Sequence, residues 1–191
     1  MTVGAVRAAL AAGPRAASPT EALAALTVVA GCIALVSRPV SPAFAAITIV
    51  VGLAGALHPL AIERTSGPNA RLWCATVALG VGAFAIARGA LGGSLIPPPG
   101  AVLLGSAIVA AVAEEAFFRR FVYATLLRWG VPFALAGSSF GFAIVHVTFW
   151  GWRAVPVDLA AGSLLGWQRW ATGSWTAPAV THAAANVLML L

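Results

Sequence analysis

Seven apolar stretches, each long enough for a membrane-spanning helix, follow one another along this chain of 191 residues. They constrain the fold more than any other feature. A hydrocarbon layer ~30 Å thick is crossed by about 20 helical residues. The stretches lie near 20 to 37, 42 to 62, 72 to 91, 103 to 128, 132 to 150, 155 to 170 and 175 to 191. With 61% of residues hydrophobic and 8% charged, against roughly a quarter charged in a soluble domain, the chain belongs in a membrane. Lipid offers no partner to a backbone N–H or C=O, so the spans must be helices, and the ten-residue alternation of a barrel strand is absent. The expected fold is all-α, a polytopic transmembrane helical bundle of about seven spans (six to eight). Gly92-Gly93 and Pro97-Pro98-Pro99-Gly100 form the strongest break. Residues 1–100 therefore read as packing helices and 101–191 as the functional core.

The net charge of +6 comes from 11 basic residues, all of them arginine. They stand singly between apolar runs, not in a patch, which excludes nucleic acid as a partner class. With the N-terminus inside, Arg7, Arg15, Arg64, Arg71, Arg120, Arg128 and Arg169 fall on the inner side and Arg38, Arg88 and Arg153 on the outer side. That bias predicts a cytoplasmic N-terminus, and the absence of lysine with abundant Ala, Gly and Val suggests a prokaryotic source and hence an inner membrane. Trp73, Trp129, Trp150, Trp152, Trp170 and Trp175 fall near span ends, as interfacial anchors do. Cys32 and Cys74 are isolated and without metal-type spacing. The segment before 46 faintly resembles a signal peptide, but cleavage there would cut into the next apolar run, so an uncleaved first span is expected. Gly137 to Gly141 and Gly162 to Gly166 are small-xxx-small patterns that allow close helix approach.

Against this apolar background the fourth stretch carries Glu114, Glu115 and Arg119. A charge at the centre of a span costs about 2.5 to 3.5 kcal/mol on insertion scales, so a cluster implies a function that needs it. Glu115 and Arg119 are four apart, share a helical face and can pair, while Glu114 is turned about 100° away. Other spans carry His146, four residues after Phe142, and His182, four residues before Asn186 on the same face. Taken singly, each histidine is as readily a hydrogen-bonded packing residue as a functional one. At about 1.5 Å per residue, Glu114, His146 and His182 lie at compatible depths, so a shared cavity is feasible.

Glu114-Glu115-x-x-x-Arg119, Phe142-x-x-x-His146 and His182-x-x-x-Asn186, in this order, resemble the three signatures of the CAAX protease and bacteriocin-processing family, also called the type II CAAX prenyl endopeptidase family. The likeness extends over about 103 to 191. It implies an intramembrane endopeptidase of the glutamate type: Glu114 activates water, His146 helps hold that water, and His182 and Asn186 form an oxyanion hole. Glu115 and Arg119 would orient these groups. No cofactor is expected from the resemblance, and the implied partners are the lipid bilayer and a membrane-embedded protein or peptide substrate. Its maturation, including removal of a C-terminal sorting helix, is the implied class of reaction.

Other readings use the same residues. Glu114, His146 and His182 could supply three zinc ligands, although the His-Glu-x-x-His arrangement is absent and Asn186 suits a donor role better. A non-catalytic immunity or scaffold protein would have no need for this constellation. A proton-coupled transporter would use intramembrane Glu and His too, but no inverted repeat is detectable. Asp158, just after Pro156, reads as a residue at a helix start, and His58, just before Pro59, as a residue at a kink or interface.

Overall fold

The computed structural model describes residues 18–37, 43–58, 69–91 and 100–190. Seven helices fill them: α1 (Pro19–Val36), α2 (Ala43–Leu57), α3 (Ala70–Leu91), α4 (Ala101–Trp129), α5 (Val131–Trp150), α6 (Val155–Thr172) and α7 (Thr176–Leu190). They coincide with the seven apolar stretches, and no strand occurs among the described residues. The protein is a polytopic helical bundle. The Gly- and Pro-rich break at 92–99 lies outside the described residues, as do Arg7, Arg15, Arg38 and Arg64.

Local sequence explains the helix ends. Ser18 caps α1: its hydroxyl accepts from the Glu21 N–H at 3.3 Å while Glu21 Oε2 accepts from the Ser18 N–H at 2.8 Å, with Pro19 in the first turn. This reciprocal pairing satisfies two donors that the helix start would leave bare. At the other end of the chain, α6 stops at Gly173, which takes φ 69° and returns its N–H to the Arg169 carbonyl. Only glycine adopts that left-handed conformation without a penalty from Cβ.

Helices α1, α3, α4 and α5 are each long and apolar enough to cross a membrane unaided. Of the others, α2 and α7 are shorter, and α6 carries Asp158, Gln168 and Arg169. Helix α4 is the axis of the bundle and packs against α2, α5, α6 and α7. Phe117, Phe118 and Phe121 are fully buried on it, stacked on one another and on Phe142 of α5. Its middle is not α-helical. Between Ala116 and Val122 the backbone forms π-helix, with the Tyr123 N–H bonded to the Phe118 carbonyl. Such wider turns are rare and are frequent at functional sites.

Both glycine patterns mark close approaches. A methyl group at Gly162 would meet the Ser139 backbone at 3.1 Å, and one at Gly166 would meet Leu135 at 3.0 Å. These contacts fix the register of α5 against α6, four residues down one helix for four up the other. Gly137 and Gly141 face the other way, onto Leu126 and Phe118 of α4. In lipid, where apolar burial does not drive helices together, this tight van der Waals packing holds the bundle.

Candidate active site

The cluster begins near the centre of the 29-residue helix α4, where Glu114 and Glu115 are the last residues before the π turn. Glu114, Glu115, Ala116, Phe117, Phe118 and Arg119 are all buried. No single helical face could hold six consecutive residues, so the burial reflects enclosure of this part of α4 by other helices on every side.

Glu115 is the most heavily tied. Its Oε1 accepts from His182 Nδ1 of α7 at 3.0 Å, and its Oε2 lies 3.4 Å from Arg119 Nε. The latter is an ion pair without hydrogen-bond alignment, since neither atom has a hydrogen-bond partner. The Arg119 guanidinium then reaches two further helices, donating to the Ser138 carbonyl of α5 at 3.4 Å and the Gly162 carbonyl of α6 at 3.1 Å. It also lies over the Phe142 ring, 5.0 Å from its centroid. One arginine thus joins three helices while its charge is balanced by Glu115. Desolvating each ion costs several kcal/mol, which the partner and the extra hydrogen bonds must offset.

Glu114 points elsewhere. Its Oε2 lies 3.5 Å from His146 Nε2 of α5, while His146 Nδ1 bonds the Phe142 carbonyl at 2.7 Å. A carbonyl can only accept, so Nδ1 carries a hydrogen and Nε2 is the nitrogen that faces Glu114. A close contact between that nitrogen and a carboxylate oxygen then requires one shared proton. For His182 the same reasoning places a hydrogen on Nδ1, toward Glu115, and turns Nε2 away from it. The Phe142 ring separates the histidines in part, with centroids 4.5 Å from His146 and 5.5 Å from His182.

Asn186, one turn beyond His182, donates from Nδ2 to the Ala107 carbonyl of α4 at 3.1 Å. An amide has two N–H groups, so this bond anchors the side chain and engages one donor. The structure therefore brings five of the six sequence-derived residues into two adjoining pairs and a bridging arginine, with Asn186 alongside on α7. Among the described residues no group of three His, Cys, Asp or Glu is disposed to hold a metal ion. The donor set of Glu114, His146 and His182 divides between two contacts and does not converge on one point.

Sequence reasoning missed several partners. Asp158 does lie in the first turn of α6, as the sequence implied, but it is also half-buried and in electrostatic reach of His146, Glu114 and His182. No sequence signal could have shown this, because the α5–α6 register that carries Asp158 one turn beyond the Gly162 contact is set by packing. Gln168, fully buried, donates to the Thr76 carbonyl at 2.6 Å and to Thr181 Oγ1 at 2.9 Å, tying α6 to α3 and α7 beneath the site. Arg169, expected as an inner-side charge, is turned inward and only 7% exposed. Trp73, expected as an interfacial anchor, also donates to Thr176 Oγ1 at 3.0 Å.

Residues 96–188 match the family model described as type II CAAX prenyl endopeptidase Rce1-like. No curated protein and no solved structure matches the chain.

Proposed function

We propose, from the match of residues 96–188 to the type II CAAX prenyl endopeptidase Rce1-like family model, a glutamate-type intramembrane endopeptidase that works without a metal. The observation that carries this reading is the buried contact of Glu114 with His146, 3.5 Å apart, one residue before a glutamate whose oxygens are engaged by His182 and Arg119.

Peptide hydrolysis needs a base for water and donors for the tetrahedral oxyanion. In the proposed reaction, Glu114 and His146 Nε2 together hold a water beside their contact. Glu114 takes one of its protons as the oxygen attacks the scissile carbonyl carbon. The oxyanion accepts from the second Asn186 N–H and from His182 Nε2, whose imidazolium charge is offset by Glu115 on the opposite nitrogen. When the C–N bond breaks, Glu114 returns its proton to the leaving amine, giving a new carboxyl and a new amino terminus. Glu115 and Arg119 hold these groups in place and take no part in the bond changes.

Glu114 lies 13 residues from Ala101 and 15 from Trp129, about 20 Å along the helix from either end. That depth suits a substrate that is itself in the membrane: a protein or peptide with a transmembrane tail or attached lipid, trimmed in maturation or freed of a C-terminal sorting helix. In this reading the protein resides in a prokaryotic inner membrane with its N-terminus in the cytoplasm.

The test compares terminal peptides of the membrane proteome, by mass spectrometry, between wild type and Glu114→Ala. Specific new termini are expected to vanish in the variant; an unchanged set in cells making a folded variant overturns the protease reading and favours a scaffold. Treating the purified protein with a chelator is expected to leave cleavage intact. Complete loss that zinc restores would replace the metal-independent mechanism with a zinc-dependent one.

A further inference from the structure

Among the described residues, Arg169 is a buried charge that the proposed chemistry leaves unused, and its contacts converge on the irregular part of α4. From the last turn of α6 its Nε donates to the backbone carbonyl of Arg119 at 2.9 Å. Its Nη1 donates to the Gly173 carbonyl just past the end of its own helix, and its guanidinium carbon lies 5.5 Å from the Tyr123 ring centroid. Arg119 is therefore held to α6 twice: its side chain donates to the Gly162 carbonyl, and its own carbonyl accepts from Arg169. Both attachments fall within the π-helical segment Ala116–Val122.

A π turn bonds each N–H to a carbonyl five residues back and is less stable than the α-helix that could replace it. Reversion would rotate the residues beyond the turn by about one α-helical step, roughly 100°. Arg119, still four residues from Glu115 and able to pair with it, would then lose the Ser138 and Gly162 carbonyls that anchor it, and the carboxylate that holds His182 would be left with an unanchored guanidinium. A charged donor on a carbonyl within the turn opposes this, and charge-assisted hydrogen bonds are the strong ones. Arginine is well matched to this position, because its planar fork serves two carbonyls at once, which a lysine ammonium at the same reach does less well.

We propose that Arg169 is a positioning residue that locks the π turn of α4 from the neighbouring helix and so fixes Glu115 and His182 in register. This rests on the protease reading for its functional consequence, but not for its structural one. The experiment separates the two by following the His182 Nδ1 proton, the hydrogen bonded to Glu115, by nuclear magnetic resonance of the full-length detergent-solubilised protein with ¹⁵N-labelled histidine. No substrate is needed. In Arg169→Ala this resonance is expected to move or broaden away, with Arg169→Lys restoring it in part. Leu165→Ala, which truncates a fully buried core residue on the same helix, supplies a matched loss of stability and is expected to leave the resonance in place. An unchanged resonance in Arg169→Ala overturns the proposal. So does equal loss in Leu165→Ala, which would reduce Arg169 to general packing. In cells, Arg169→Ala is expected to lower the yield of Glu114-dependent termini at least ten-fold at equal protein level. If the resonance moves but no termini depend on Glu114 in the first place, the lock stands and the protease reading fails.

Discussion

Two neighbouring carboxylates on α4 are built into opposite surroundings. Glu115 engages both oxygens from within the bundle, with the His182 ring at 3.0 Å and the Arg119 guanidinium at 3.4 Å, and is fully buried. Glu114 meets His146 through a longer contact of 3.5 Å, beside a histidine that retains 14% side-chain exposure. The first carboxylate is shut in between His182 and Arg119, and the second faces a ring that solvent can reach. A group that must exchange a proton with water needs such access, whereas a group that orients others needs none. In the proposed mechanism the adjacent pair divides structure from chemistry at the level of one residue.

The comparison predicts unequal responses. The largest effect is expected for Glu115→Ala, which strands Arg119 as an uncompensated buried charge and should cost about 3 to 5 kcal/mol of stability. Glu114→Gln should leave thermal stability within a small fraction of that loss. Melting curves in one detergent check both, and equal destabilisation of the two variants would erase the distinction. A smaller effect, on rate alone, is expected for Asn186→Ala. Loss of one oxyanion donor typically lowers turnover about 10² to 10³-fold, and the bond to Ala107 that also disappears is a single neutral hydrogen bond worth about 1 kcal/mol. Cleavage by Asn186→Ala at the wild-type rate would move the oxyanion site away from α7.

Much of this was legible in the sequence because membrane constraints are strict. The seven apolar stretches became seven helices because lipid permits little else. Glu114, Glu115, Arg119, His146 and His182 came together because charge in a span must find partners. The close approaches at Gly162 and Gly166 were visible as a pattern, although not which helix they would meet. What stayed hidden depends on direction. An arginine at a helix end has the same sequence signature whether it snorkels to the surface or turns inward, so Arg169 read as a mark of topology. The π turn leaves no periodic trace, because the residues on either side of it are apolar whichever way the helix turns. Glu115 was paired with Arg119 by spacing, but its second partner, His182, belongs to a helix 67 residues away, and only packing could reveal it. The link from Asn186 to Ala107 is of the same kind.

The enclosure of α4 on all sides has a consequence for biogenesis. Ribosomes deliver this helix before α5, α6 and α7 exist, so at insertion Glu114 lacks His146, Glu115 lacks His182, and Arg119 lacks the Ser138 and Gly162 carbonyls. What α4 carries within itself is the pairing of Glu115 with Arg119. That pair therefore serves first as a passport through the insertion machinery, and only later, once the last helix has arrived, as part of the scaffold around the site.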